Sequence, residues 1–253
     1  MNFNEIFFSH WNIILSFFTI AILYASVGFG GGSSYLAILA LTTLEFTEIR
    51  ATALICNILV VSSSFIIYYK NQLYNFKKVL PLVLTSIPLA FIGGYLRIDE
   101  KLFFILLGIT LLIAGSLMLL QKREVYNSTE TNTIKSLSFG GIIGFISGMV
   151  GIGGGIFLAP LLHLTKWDAS KKIAATTSLF ILVNSIAGLG GQLTNPDFAI
   201  NTRLTIVLAI TTFIGGQIGS RIGIHFIKPL DLKKGTAILI VFVAVKILWK
   251  HLG

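Results

Sequence analysis

The stretch GMVGIGGGIF at 148–157 decides how the chain reads. Gly148, Gly151, Gly153, Gly154 and Gly155 fall inside an otherwise apolar run. Glycine in a helix interior is unfavourable by about 1 kcal/mol relative to alanine, so uninterrupted helix should not pass through them. GFGGGSSYL at 28–36 carries nearly the same pattern. The sequence predicts two interruptions of the backbone, each inside a hydrophobic segment.

The 253 residues are 55% apolar and 11% charged, with a mean hydropathy of +0.87. Soluble domains carry about 25% charged residues, so this chain could not cover itself with polar surface. Apolar runs of membrane-spanning length recur at 11–44, 51–69, 79–97, 102–120, 136–165, 173–191, 203–226 and 232–249. They are continuous rather than alternating, which argues for helices over a β-barrel. The fold class is all-α, a polytopic helical protein of the cell membrane. The net charge of +9 is scattered over short loops, as membrane topology expects, with no basic arm for nucleic acid. Cys56 is the sole cysteine and excludes an internal disulfide.

The polar stretch QKREVYNSTETNTIK at 121–135 divides the chain near its middle and reads as a linker between residues 1–120 and 136–253. These halves resemble each other. GFGGGSSYLAILALTTLEF at 28–46 matches GIGGGIFLAPLLHLTKWDA at 151–169. ATALICN at 51–57 answers TTSLFILVN at 176–184, and PLAFIGGYL at 88–96 answers ITTFIGGQIG at 210–219. Each half is expected to hold a glycine-broken segment followed by three membrane helices. Internal repeats of this kind mark transporters.

Residues 11–44 would span roughly 50 Å as one helix, too long for an ordinary crossing. The piece at 137–150 would span only about 21 Å and is expected to be too short to cross alone. Each broken segment is a pair of half-helices, stacked as a broken crossing or folded back as a re-entrant hairpin. Hairpins put thirteen basic residues (Lys70, Lys77, Lys78, Lys122, Arg123, Lys135, Lys166, Lys171, Lys172, Arg221, Lys228, Lys233, Lys234) on one side and six (Arg50, Arg97, Lys101, Arg203, Lys246, Lys250) on the other. That asymmetry favours hairpins.

Unwound backbone at membrane depth must be buried in protein or line a cavity. Half-helices starting near Ser33 and Ile156 would aim positive dipole ends and free amides at the break, a ready anion site. The expected substrate site is therefore Gly30, Gly31, Gly32, Ser33 and Ser34 in the first half and Gly153, Gly154 and Gly155 in the second. Thr52, Asn57, Thr177, Ser178 and Asn184 are added as polar groups on the helices that follow. Gly93, Gly94, Gly215 and Gly216 read as packing glycines, and Arg50 as an interfacial anchor. All ten carboxylates fall in the termini or connections, which disfavours a cation site or a carboxylate proton relay. The sequence has no ligand cluster for a metal, so no metal and no cofactor are expected. Catalysis has little support; a serine at Ser33 or Ser34 served by His163 or His225 is the rival reading, beside a non-transporting assembly subunit.

GFGGGSSYLAILAL and GMVGIGGGIFLAPLLHL, with AATTSL after the second and GG late in each half, resemble the sulfite exporter TauE/SafE family of membrane permeases over about 11–250. Pro160 follows the second glycine run; Ala37 stands at the matching place after the first. The resemblance implies a permease for a small sulfur-containing or organic anion such as sulfite or a sulfonate; export is the expected direction because an inside-negative potential favours anion exit. The expected partners are that anion and the lipid bilayer, with a homodimer left open.

Overall fold

In an apolar solvent a backbone amide finds no partner except another backbone carbonyl, and continuous apolar runs answer with helix. The computed structural model describes the chain apart from residues 1–9, 27, 97, 121–131, 197, 224–228 and 253, and contains no strand among the described residues. Its helices are α1 (Trp11–Ser26), α2 (Gly32–Leu39), α3 (Phe46–Lys70), α4 (Phe76–Tyr95), α5 (Glu100–Leu120), α6 (Thr133–Val150), α7 (Gly155–Leu164), α8 (Ser170–Leu193), α9 (Thr202–Gly223) and α10 (Pro229–Leu252). Among the described residues α3, α4, α5, α6, α8 and α9 are long and apolar enough to cross a membrane.

One expectation is corrected at the start of α6. The Asn132 side chain accepts from the amides of Ile134 and Lys135 at 3.0 and 3.3 Å. This cap takes up orphan donors of the first turn, so the helix begins at Thr133 and has 18 residues. It therefore spans about 27 Å and is long enough to cross, where the run at 137–150 looked too short. Of the linker expected at 121–135, residues 121–131 lie outside the described residues, and Thr133–Lys135 are helical. At α3 a capping box between Glu45 and Glu48 sets the start.

Small residues set how closely the helices approach. Gly140, Gly144 and Gly148 of α6 sit on Leu82, Ser86 and Ala90 of α4, so a Cβ at Gly148 would overlap the Ala90 carbonyl. This is a small-residue stripe read along two helices running the same way. Gly215 of α9 lies on Phe18 and Ala21 of α1, and Gly219 on Ile22. A polar ladder joins α9 to α3: Thr52 to Thr205 at 2.8 Å, Ser63 to Gln217 at 2.8 Å and Ser64 to Ser220 at 3.0 Å. On the far side Gly108 and Gly115 of α5 meet Leu248 and Val241 of α10. Gly93 and Gly94 rest on Phe145 of α6 and Gly188 of α8, and Gly216 on Val60. These glycines pack helices.

The order of contact fixes direction. α1, α3 and α9 run one way, since residue numbers rise together along each pair. α4 and α6 rise together likewise. α8 runs against α3, because Gly188 faces Leu54 while Gly28 lies between Tyr68 and Ala174. The first helix after the linker thus packs on α4, and α1 packs on α9.

Candidate functional site

Helix α1 stops at Ser26 and α2 starts at Gly32; α6 stops at Val150 and α7 starts at Gly155. Gly28, Gly31, Gly151, Gly153 and Gly154 have φ between 80° and 88°. Gly31 and Gly154 are the left-handed residues immediately before α2 and α7. A left-handed residue with a Cβ is unfavourable by about 1–2 kcal/mol, and space forbids one as well: a Cβ at Gly154 would lie 2.8 Å from the Phe180 ring.

The chain turns back at the first interruption. Tyr35 of α2 stacks on Phe17 of α1 at 4.5 Å between centroids, and the Ser34 and Tyr24 hydroxyls meet at 2.7 Å. Helical bonding resumes only where the Ser34 amide donates to the Gly31 carbonyl, and in the second segment where the Phe157 amide donates to Gly154. The amides before those points belong to helix N-termini, whose first N–H groups have no acceptor in their own helix.

Asn57, in the middle of α3, joins the two interruptions. Its Nδ2 donates to the Ile152 carbonyl at 2.8 Å. A Cβ at Gly30 would overlap its Oδ1, and a Cβ at Gly32 its Nδ2. A Cβ at Gly153 would lie 2.8 Å from the same nitrogen and 2.7 Å from Ser185 Oγ. Two glycine interruptions, remote in sequence, thus close on one amide side chain. A Cβ at Gly155 would meet Ile181 and, at 3.1 Å, Thr177 Cγ2; one at Gly154 would lie 3.3 Å from Ser147 Cβ. Asn57, Ser147, Thr177 and Ser185 are fully buried, and each has a side-chain oxygen with no hydrogen-bond partner: Asn57 Oδ1, Ser147 Oγ, Thr177 Oγ1 and Ser185 Oγ. Buried polar atoms are ordinarily paired; here an unpartnered oxygen faces each interruption, Asn57 Oδ1 at the Cβ position of Gly30 and Ser185 Oγ at that of Gly153.

The expected residues separate accordingly. Gly30, Gly31, Gly32, Gly153, Gly154, Gly155, Asn57 and Thr177 come together. Ser33 is buried at the start of α2; Ser34 is engaged with Tyr24, an arrangement with no imidazole in it. Thr52 faces α9 and is bonded to Thr205. Ser178 donates to the Ala175 carbonyl at 2.8 Å and meets Tyr74 at 3.1 Å. Asn184 donates to Phe180 at 2.7 Å, and its Oδ1 has no partner.

Ser147 and Ser185 did not stand out in the sequence, and Arg50, weighed there as an anion attractor at a mouth and read as an interfacial anchor, is buried. Serines are too common in membrane helices to single out, and only the fold carries these two to the glycines. Arg50 is only 3% exposed, packed inside the protein. Its Nη2 reaches the carbonyls of Gly94 and Gly148, both at 3.4 Å, in the last turns of α4 and α6. Its backbone touches the Cβ position of Gly151. A cation among helix C-terminal carbonyls is electrostatically favourable. The signal available in the sequence was its place next to the apolar start of the second helix.

Six helices of spanning length among the described residues, together with its relatives, make this a multi-pass transporter-type protein of the cell membrane. The chain belongs to the sulfite exporter TauE/SafE family, which matches residues 13–247. It is 30% identical over 242 residues to the probable membrane transporter protein y4hK of Sinorhizobium fredii, covering 94% of this chain and 97% of that one. The probable membrane transporter protein YunE of Bacillus subtilis is 25% identical over 225 residues, covering 78% and 82%. MJ0441 of Methanocaldococcus jannaschii, also named a probable membrane transporter protein, is 27% identical over 171 residues, covering 63% of each chain. No solved structure matches.

Proposed function

We propose that the protein is a permease for a small organic or sulfur-containing anion, sulfite-like or sulfonate-like, and that the anion is held where α2 and α7 begin. The observation that carries this reading is Asn57 bridging both glycine interruptions, with the unpartnered Ser185 hydroxyl at Gly153 and with Ser147 and Thr177, whose hydroxyls are also unpartnered, packed at Gly154 and Gly155. Amides at two helix N-termini and rotatable hydroxyls hold negative charge without a formal cation. The family name supports the substrate class.

In this reading residues 1–120 and 136–253 form an inverted repeat, each with a re-entrant pair of half-helices. Asn57 and the glycine faces are buried in the present conformation, so the cargo enters as the two interruptions part. One half rocking against the other would open the centre to each side in turn. An inside-negative potential drives a monoanion outward by about 2.3 kcal/mol per 100 mV, which suits export.

The test is flux of sulfite and of short sulfonates in liposomes holding the purified protein. Release faster than from protein-free vesicles, abolished by Gly154→Leu, is expected. Wild-type vesicles no leakier than protein-free ones for every anion tried would overturn the reading.

A further inference from the structure

The side-chain oxygen of Asn57, at the first glycine interruption, is a pure acceptor and cannot turn into a donor. Asn57 is held in one orientation because its Nδ2 donates to the Ile152 carbonyl at 2.8 Å. Rotating the amide would set Oδ1 against that carbonyl oxygen, lone pair to lone pair. Its Oδ1 is therefore fixed toward Gly30, fully buried and without a partner. Asn184 repeats the arrangement on α8, one position before Ser185, with Nδ2 committed to the Phe180 carbonyl at 2.7 Å and Oδ1 unpartnered.

A buried acceptor with no donor is unfavourable. The hydroxyls of Thr177 and Ser185 can rotate to donate to an anion; Asn57 Oδ1 cannot. An anion made only of acceptors would satisfy the amides and hydroxyls and clash electrostatically with this oxygen. Resting on the permease reading above, we propose that the cargo brings a hydrogen-bond donor of its own: a singly protonated oxyanion such as hydrogen sulfite, or a sulfonate bearing an O–H or N–H. The sequence agrees in one respect, since none of the ten carboxylates falls inside an apolar run. With no acidic side chain at mid-membrane to accept it, the proton travels on the cargo.

The full-length wild-type chain in detergent suffices as the test, so no variant needs to fold. Thermal stabilisation is titrated with hydroxyethanesulfonate and with ethanesulfonate, which share charge and differ by one hydroxyl. Sulfite is titrated in parallel on either side of its second ionisation. The expected result is apparent affinity at least tenfold higher for hydroxyethanesulfonate than for ethanesulfonate. Sulfite affinity should fall at least tenfold as the anion loses its proton, while that of hydroxyethanesulfonate stays constant across the same pH range. Equal affinity for the two sulfonates, or sulfite affinity flat with pH, would overturn the donor requirement and leave the anion site standing. Stabilisation by none of these anions would overturn both.

Discussion

Asn57 and Ile181 hold matching places: Asn57 covers Gly30 and Gly32 of the first interruption, and Ile181 covers Gly153 and Gly155 of the second. The same helix face carries Val61 over Gly30 and Ser185 over Gly153. The centre is thus built on one plan and furnished differently on its two sides, with an amide in one half and hydroxyls in the other.

Replacing Asn57 by leucine removes the donor to Ile152 and leaves that buried carbonyl unsatisfied. A loss of about 1–3 kcal/mol in stability is expected, together with transport reduced at least tenfold. Unfolding of the purified variant, followed beside sulfite flux, checks both. Unchanged flux in a folded Asn57→Leu protein would refute the placement of the cargo.

Gly154→Ala sets a Cβ against Phe180 at 2.8 Å with φ at +82°. Backbone strain alone contributes about 1–2 kcal/mol. Gly190→Ala meets only Phe91 at 3.6 Å, an ordinary contact inside α8, and should match or slightly exceed wild type. Comparing the two melting temperatures tests whether the left-handed turn matters, as opposed to small size as such.

Thr177→Val exchanges an unpartnered buried hydroxyl for a methyl group of similar shape. Stability should hold or rise slightly, while the KM for the transported anion rises several-fold. Thr52→Val does the reverse, since it strands the Thr205 hydroxyl. That change should lower stability by about 1 kcal/mol and leave KM alone. A Thr177→Val protein with unaltered KM would count against the hydroxyl as a ligand.

Arg50→Gln withdraws positive charge from the last carbonyls of α4 and α6. A destabilisation of about 1–2 kcal/mol is expected, with partial recovery in Arg50→Lys, which restores charge but not the planar fork. Chemical denaturation of the three proteins side by side gives the answer.

How much of this was legible beforehand follows from what each signal encodes. Hydrophobic run length predicts membrane helices, and six described helices meet the criterion. The glycine runs fell between helices because nothing else in the alphabet takes a left-handed turn so easily. Register was harder. The sequence pairs Asn57 with Asn184, yet Asn57 packs as Ile181 does. It also pairs Gly93 with Gly215, whereas Gly93 lies on Phe145 and it is Gly219, one turn later, that lies on Ile22. Small residues every fourth position permit such a slip, because each turn offers the same smooth face to a neighbour. Ser147 and Ser185 could not be selected, since only the fold brings them, on α6 and α8, to the second glycine run.

The exchange of partners between halves bears on how the protein is made. Helix α1 rests on α9, and α9 begins at Thr202, 176 residues after α1 ends at Ser26 (202 − 26). At ribosomal speeds of about 5–20 residues per second, α1 waits roughly ten to forty seconds in the nascent chain before its mate exists. It is equipped to wait: Ser16 and Thr19 return their hydroxyls to the carbonyls of Asn12 and Leu15, leaving little polar surface for lipid to reject. A ribosome that stalled after the linker would release an amino-terminal fragment with a bare first helix, a natural target for membrane quality control.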